Sequence, residues 1–451
     1  MRVLHLAYTY FPDAVGGTEV YVSELVRELA VRGIDSVVAA PGNADAEYEH
    51  DGTRVVRYAL GPLEDAGEVH DAAPNRIAVD ALHRLFAREK PDVAHLHAYT
   101  RGVPLEAGDI ARRHGARVVV TYHTPSVTCP IGTLMRDGTT VCDGALLVSR
   151  CARSMLRSHG APALAAGVLG ALPTAVGGLV GRLAPRAGGL ATALRATHLM
   201  ERRHARVMQH LRAADAVVAP SEWVIGLLVR LGLDRARLIL SPQGIGADVH
   251  TVRRERPPSA AVRLLLPARY APVKGIQVAV DAVMAVPHLS VALDVYGAVQ
   301  GDAERSHRRD LEARASADSR IAFHDALEPA GIRERMAQAD AVLIPSLWLE
   351  TGPLTALEAF AAGAPVIGSD LGGIAERVRH GVDGMLVPPG DVAAWAAAIE
   401  QFSTDAALRA RVTRGVRAPR RMADVAEEMV HLYGTVASGT GRSLKAIGVS
   451  P

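Results

Sequence analysis

The chain has 451 residues, of which 49% are hydrophobic, 22% charged and 4% aromatic. That length exceeds a single ordinary core, so two or three folded domains are expected, and the composition argues against a disordered chain. A formal net charge of +2 argues against nucleic acid as the main partner.

The N-terminus, "MRVLHLAYTYFPDAVGG", has one arginine, a short apolar run and no small-residue cleavage site, and reads as a first strand rather than a signal peptide. Gly16 and Gly17 lie between this strand and the helical pattern "EVYVSELVRELAVRG". Glycines there let backbone approach a ligand, and the following helix N-terminus can face an anion; a simple turn is the alternative. The alternation continues with "SVVAAP", "TRVVRYAL", a helix near 76–89, "PDVAHLHA", a helix near 103–114 and "ARVVVTYH". Strand and helix in alternation predict βα units and a parallel sheet.

An insertion at about 124–200 then interrupts the rhythm. It begins with Cys129, Cys142 and Cys151, an odd number in a chain without a secretory signal, which points to the cytoplasm. Residues 160–181 carry no charge, a length sufficient to span a bilayer, but alanine, glycine and two prolines make the run a poor helix. Three readings stay open: a membrane span, an apolar hairpin that touches the membrane or covers the acceptor site, and a buried helical insertion. Arg182, Arg186, Arg195, Arg202, Arg203 and Arg206 follow, suited either to an anionic lipid surface or to a solvated helix face. The segments "ADAVVAPS", "EWVIGLLVRLG" and "RLILSPQG" resume the pattern and close a first domain over 1–250.

"TVRRERPPSA" reads as a linker, and a second strand and helix series occupies 258–417. Two doubly wound sheets predict a ligand cleft at the carboxyl ends of their strands, between the domains. After the second domain's first strand, "ARYAPVKG" places Arg269 and Lys274 where two cations can neutralise a diphosphate. "ETGPLTALEAF" sets Glu350 before a helix and Glu358 inside it, with Pro353 in the first turn. Eight helical residues separate such carboxylates by ~12 Å, too far for a glycosidase pair, and a helix N-terminus between them favours a phosphate. A helix at 418–437, expected to pack back toward the first domain, and a flexible tail at 438–451 end the chain.

The set "GGTE", "VTYHT", "APSEW", "ARYAPVKG", "LIPSLWLETGPLTALEAFAAGAPVIGSDLGGIAERV" and "DGMLVPPGD" resembles the retaining glycosyltransferases of family 4, over nearly the whole chain. The resemblance implies an α/β GT-B fold, two Rossmann-like parallel-sheet domains facing a central cleft, with the helical insertion in the first. It implies transfer of a sugar from a UDP- or GDP-sugar to a hydroxyl of a glycan or lipid-linked acceptor, in cell-surface polysaccharide or glycolipid synthesis. It further implies that Glu358 accepts from the ribose hydroxyls, that Glu350 faces the donor sugar, and that the backbone of Leu354 and Thr355 approaches the diphosphate. Arg269 and Lys274 match the family's diphosphate-stabilising pair, Gly16 and Gly17 its glycine loop, and His123 a histidine that contacts the transferred sugar. No cofactor and no metal are expected.

Pro353 departs from the family, standing where many relatives have glycine. The segment from Cys129 to Cys151 is similar to a cysteine-rich loop of some relatives, but Ser154 occupies the place of a fourth cysteine. Free buried thiols are the expected state, against zinc held by the three thiolates with His123 or His159. A cytoplasmic location with peripheral contact to the inner membrane face through 160–206 completes the expectation. The alternatives are a nucleotide-sugar epimerase or phosphorylase of the same architecture, and a non-enzymatic membrane-surface protein with a degenerate site.

Overall fold

A computed structural model describes residues 1–13, 16–60, 75–136, 140–183, 189–246 and 261–439. The expected linker at 251–260, Arg186 and the tail from 440 onward lie outside the described residues. The chain divides into two compact units: Met1–Pro242 with Met422–Pro451, and Gln243–Arg421.

In the first unit the strands are β1 (Arg2–Leu6), β2 (Asp35–Gly42), β3 (Ala46–His50), β4 (Thr53–Ala59), β5 (Val93–Leu96) and β6 (Arg117–Thr121), then a small hairpin of β7 (Met135–Arg136) and β8 (Thr140–Val141), then β9 (Ala216–Ala219) and β10 (Leu238–Leu240). Eight of them form one sheet in the order β10-β9-β6-β5-β1-β2-β4-β3. All its pairings are parallel except that of β3 with β4. This antiparallel edge escapes the sequence reading, although Asp51 and Gly52 mark it: both have positive φ, 48° and 74°, as a two-residue type I′ hairpin requires. Helix Met422–Ala437 belongs to this unit and buries Met422, Val425, Met429, Leu432 and Tyr433 in the same core as Tyr21 and Leu25 of helix Gly17–Val31.

The insertion folds as helices Val148–Ser158, Ala163–Leu169, Thr174–Leu183, Leu190–Leu194 and Ala196–Ala213. Met155, Leu156, Ala166, Leu199 and Met200 give it a small core of its own. No single described helix is long and apolar enough to cross a membrane, and the uncharged run forms two helices bent by 90° at Pro173 and its neighbours.

The second unit is a purely parallel sheet of β11 (Val262–Pro267), β12 (Val291–Gly297), β13 (Ile321–Asp325), β14 (Ala341–Ile344), β15 (Val366–Ser369) and β16 (Gly384–Val387), in the order β13-β12-β11-β14-β15-β16. Apolar clusters flank it, one around Leu264, Val295 and Trp395 and another around Val342, Phe360 and Ile374, as a parallel sheet with helices on both faces demands.

Candidate active site

In the second unit the strand order reverses between β11 and β14, and open α/β sheets bind ligands beyond the carboxyl ends of the strands at such a reversal. Lys274 follows β11 at the end of the turn Pro272–Lys274, and Glu350 follows β14 in the loop before helix Leu354–Ala361. The Lys274 ammonium donates to Glu350 Oε1 at 2.7 Å, and Ser346 Oγ and Trp348 Nε1 donate to the same oxygen at 2.9 and 2.8 Å. Lys274 Nζ also lies 5.2 Å from the Trp348 ring centre, within cation–π range. Burial alone would raise the Glu350 carboxyl. The charge of Lys274 and the hydrogen bonds from Lys274, Trp348 and Ser346 outweigh it, holding the group below the ordinary carboxylate range. Glu350 is therefore an anion at neutral pH, able to accept from hydroxyls but not to serve as an acid.

Close backbone approaches make this arrangement possible. Gly275 has φ +72°, and a Cβ there would sit 1.8 Å from the Pro345 carbonyl oxygen, so only glycine lets the Lys274 turn press against the end of β14. Leu347 N–H donates to Val273 O at 2.8 Å across the same contact. On the other side Gly373 N–H donates to the Glu350 carbonyl at 2.7 Å, where a Cβ would meet that oxygen at the same distance.

Pro353 is not in the first helical turn but one position earlier, as the N-cap, with extended ψ of 101°. A proline cap has no side-chain acceptor for the first N–H groups, so those of Leu354 and Thr355 lie at an uncapped helix terminus, which favours an anion. Glu358 lies within the helix, half-buried, where burial pushes its carboxyl up against the opposing charge of Arg333. Arg269 is engaged by other residues: its Nη1 donates to Gln300 Oε1 at 2.6 Å and to Glu304 Oε1 at 2.9 Å, while 43% of its side chain stays exposed. Sequence reasoning missed Ser346, Trp348 and Glu304. The first two stand four and two residues before Glu350, a spacing that becomes readable only once the loop's curl is known.

In the first unit Gly16 is the N-cap and Gly17 the first residue of helix Gly17–Val31. The Gly16 N–H donates to Glu19 Oε2 at 2.8 Å, so "GGTE" closes on itself as half of a capping box. Burial pushes the Glu19 carboxyl up, and hydrogen bonds from the backbone of Gly16, Glu19 and Thr9 oppose this.

His123 follows β6 and is 4% exposed. It belongs to a histidine group that the sequence reading did not foresee. His5 pairs in register with His95 across β1 and β5, and His97, two residues on, shares the His95 side of the strand. His5 Nδ1 lies 3.1 Å from His97 Nε2, and His97 Nδ1 lies 2.9 Å from His123 Nε2. His95 is held separately, by Tyr433 Oη at 2.6 Å and Thr121 Oγ1 at 2.7 Å. Tyr21 packs edge-on against His123 with ring centres 4.8 Å apart. The alternation "LHL" and "HLH" at the ends of two adjacent strands was the available signal.

The ring nitrogens of His5, His95 and His97 lie within 4.8 Å of one another, a spacing that admits a metal ion, and no other such group occurs among the described residues. Among the described residues, Cys129, Cys142 and Cys151 are not grouped with His123 or His159 at metal-ligand spacing. Cys129, Cys142 and Cys151 are free, the His123 Nε2 is occupied by His97, and His159 Nδ1 lies 2.8 Å from the Met155 carbonyl. Burial, with the neighbouring thiols adding to it, pushes the Cys151 thiol up to about 11. The arginine run is also largely structural. Arg203 donates to the carbonyls of Thr128 and Ser126 at 2.8 Å each, Arg206 pairs with Glu106, and Arg195 is buried. Of the described members, Arg182 and Arg202 remain exposed.

Residues 16–244 match the glycosyl transferase 4-like domain, half of the chain, and residues 261–405 match the family glycosyl transferases group 1. A D-inositol 3-phosphate glycosyltransferase from Xylanimonas cellulosilytica is 32% identical over 251 residues, 52% of this chain and 59% of that protein. A phosphatidyl-myo-inositol mannosyltransferase from Mycobacterium leprae is 33% identical over 171 residues, 37% of this chain and 44% of that protein. The chain spans about half the length of the curated relatives it matches. Among solved structures, sucrose-phosphate synthase from Thermosynechococcus elongatus aligns with a TM-score of 0.69 at 21% identity, covering 97% of this chain and 100% of the other. The Anabaena protein HepE, in complex with UDP and glucose, aligns with a TM-score of 0.64 at 16% identity, covering 96% and 99%. The chain belongs to the glycosyl transferase 4-like family and has the GT-B fold.

The histidine group sets a pH dependence. Burial lowers His5 and His123 from 6.5 to about 3, and holds His95 and His97 well below 6.5 with help from neighbouring histidines. The folded rings stay neutral while the unfolded ones take up protons, so this contribution is full above pH 6.5 and is lost as pH falls from there toward 3. Each ring contributes up to about 1.4 kcal/mol per pH unit in that window. Denaturant unfolding of the first unit at pH 7.5 and 5.5 should show a marked loss at the lower pH, and unchanged stability would contradict the neutral assignment.

Proposed function

We propose that this member of the glycosyl transferase 4-like family is a retaining glycosyltransferase that moves a sugar from a UDP- or GDP-sugar to an acceptor hydroxyl in the synthesis of a cell-surface polysaccharide or glycolipid. The observation that carries this reading is the Glu350 carboxylate, fixed by Lys274 at the strand reversal of the second unit beside the uncapped terminus of helix Leu354–Ala361. An anion that accepts from sugar hydroxyls, a cation, and a helix terminus for phosphate are the groups that a nucleotide sugar needs. HepE, solved with UDP and glucose, and a starch synthase from Arabidopsis thaliana, solved with ADP and acarbose, share the fold, which supports a nucleotide-sugar donor.

In this reading Glu358 accepts from the ribose hydroxyls and Glu350 from the sugar. The N–H groups of Leu354 and Thr355 meet the diphosphate. Lys274, and Arg269 in exchange for Glu304, stabilise the charge that develops on the leaving group, so that no divalent metal is required. The acceptor oxygen bonds to the anomeric carbon on the face from which the phosphate oxygen departs. That phosphate oxygen takes the hydroxyl proton, which leaves a glycoside of retained configuration and a nucleoside diphosphate. Gly16, Gly17 and His123 are the first unit's contribution to substrate binding.

The insertion supplies contact with the inner membrane face. Leu164 and Leu183 are 84% and 78% exposed, with Val168 and Leu179 also exposed on the bent helices, and Arg182 precedes Leu183 on the second of them. Apolar side chains flanked by a cation suit an anionic lipid interface.

Two outcomes test this function. Incubation with donor and acceptor should release nucleoside diphosphate only when acceptor is present, and Glu350→Gln or Lys274→Ala should lower kcat by about 10²–10³-fold, as for loss of a charge-stabilising group. Donor conversion without acceptor-dependent product would overturn it. Replacing Leu164, Leu179 and Leu183 by serine should abolish co-sedimentation with anionic phospholipid vesicles; undiminished binding would remove the insertion from that role.

A further inference from the structure

A groove of about 1210 Å³ opens in the first unit between helix Ala196–Ala213, helix Glu222–Arg230 and the loop that leads from the β7–β8 hairpin to helix Val148–Ser158. None of its lining residues belongs to the donor site or to the histidine group. The first helix contributes His204, Met208 and Arg212, four residues apart and so on one face, which span ~12 Å along its axis. Leu227, Arg230 and Leu231 stand opposite. The loop closes a third side: Gly144, with φ +78°, lies so near Leu227 that a Cβ there would sit 2.3 Å from its Cδ1, and Leu146 follows it.

Polarity is divided along this groove. Leu146, Met208 and Leu227 make one part apolar, whereas Arg212 and Arg230 lie in the last turns of their helices. Neither arginine is paired with a carboxylate among the described residues. Helix capping does not account for Arg212, because the carbonyls of Arg212 and Ala214 already accept from Arg237 Nη1, at 2.9 and 3.3 Å. Asp143, the acid of the lining, is neutralised by Arg150, whose Nη1 donates to its Oδ2 at 3.0 Å. His204 is 7% exposed, and neither of its ring nitrogens has a hydrogen-bond partner among the described residues. Burial lowers this ring to about 4, with Arg203 adding to the effect and the Leu146 backbone opposing it. A neutral buried polar ring in that state is a group for a ligand oxygen to answer.

We propose that this groove binds an amphipathic phosphate, a lipid whose aliphatic chain lies over Leu146, Met208 and Leu227 and whose phosphate is held by Arg212 and Arg230. A guanidinium presents its donors in a fork that matches phosphate oxygens, and two of them outweigh the partial negative charge at the carboxyl ends of the helices. A concave, mostly apolar site with a few placed polar groups is the usual form of a small-molecule site. The site stands in the first unit and does not rest on the donor assignment in the second.

Titration calorimetry of the full chain with dodecyl phosphate, kept below its micelle concentration, tests this beside dodecanol and inorganic phosphate. Dodecyl phosphate should bind saturably, one per chain, and the other two probes at least about tenfold more weakly. Dodecanol binding as tightly would remove the role of the arginines, and inorganic phosphate binding as tightly would remove that of the apolar floor. Either result overturns the proposal, as does the absence of saturable binding. Arg212→Gln combined with Arg230→Gln, both at exposed positions, should weaken dodecyl phosphate by at least about tenfold with Tm unchanged. Ala205→Trp, at an exposed position of the lining, fills the groove and should weaken binding as much. Undiminished binding in either variant overturns the proposal. If Ala205→Trp does not fold, the three probes and the arginine variant still decide. Nucleotide titration of the same proteins reads the donor site separately, so its failure would count against the proposed function and leave the lipid result to stand.

Discussion

One oxygen, Glu350 Oε1, receives hydrogen bonds from Lys274, Ser346 and Trp348, and the loops at the carboxyl edge of the second sheet are arranged around that convergence. A carboxylate in a half-buried loop is costly unless its charge is matched and its lone pairs are used. Lys274 supplies the charge only because Gly275 brings its turn against Pro345 O. The backbone of Glu350 is fixed as well, through its carbonyl and Gly373 N–H. The glycines on both sides thus follow from the carboxylate, and the helix that starts at Leu354 takes its direction from the same loop.

The two units solve the problem of burying polar groups at a strand reversal in opposite ways. The second keeps a charged pair and offsets its desolvation with hydrogen bonds. The first removes charge altogether: His5, His95, His97 and His123 are neutral, and six of their eight ring nitrogens are answered by another ring or by the hydroxyl of Tyr433 or Thr121. Tyr433 from helix Met422–Ala437 closes one end of this network, so the return of the chain's last helix to the first unit has a polar consequence as well as an apolar one. A fixed anion suits recognition of sugar hydroxyls, and neutral imidazoles suit directional donation to a ligand oxygen.

Much of the fold was legible because parallel strands are buried on both faces and read as short aliphatic runs between helical patterns. The glutamates, Lys274 and the glycine turn were legible for the same reason, since each follows a recognisable strand end. What escaped depended on contacts distant in sequence. Arg269 read as a free cation because nothing local shows Glu304 beside it, 35 residues away. Arg203 read as part of a surface cluster, yet it braces carbonyls 75 and 77 residues earlier. The histidine file draws on three strands, and no window of sequence contains it. The hairpin at Asp51 and Gly52 was a different kind of miss, a local turn signal overshadowed by the βα rhythm around it. Pro353 differed by one position, because proline suits both a cap and a first turn.

The claim on which the account turns is that the Lys274–Glu350 pair holds the diphosphate and sugar of a nucleotide donor. Calorimetric titration of wild type and Lys274→Met with UDP, GDP and the unphosphorylated nucleosides measures it directly. One diphosphate should bind wild type and lose at least about tenfold in affinity in the variant, ~1.4 kcal/mol, while its nucleoside is unaffected. Equal binding of that diphosphate to both chains, or binding of neither diphosphate to wild type, would contradict it.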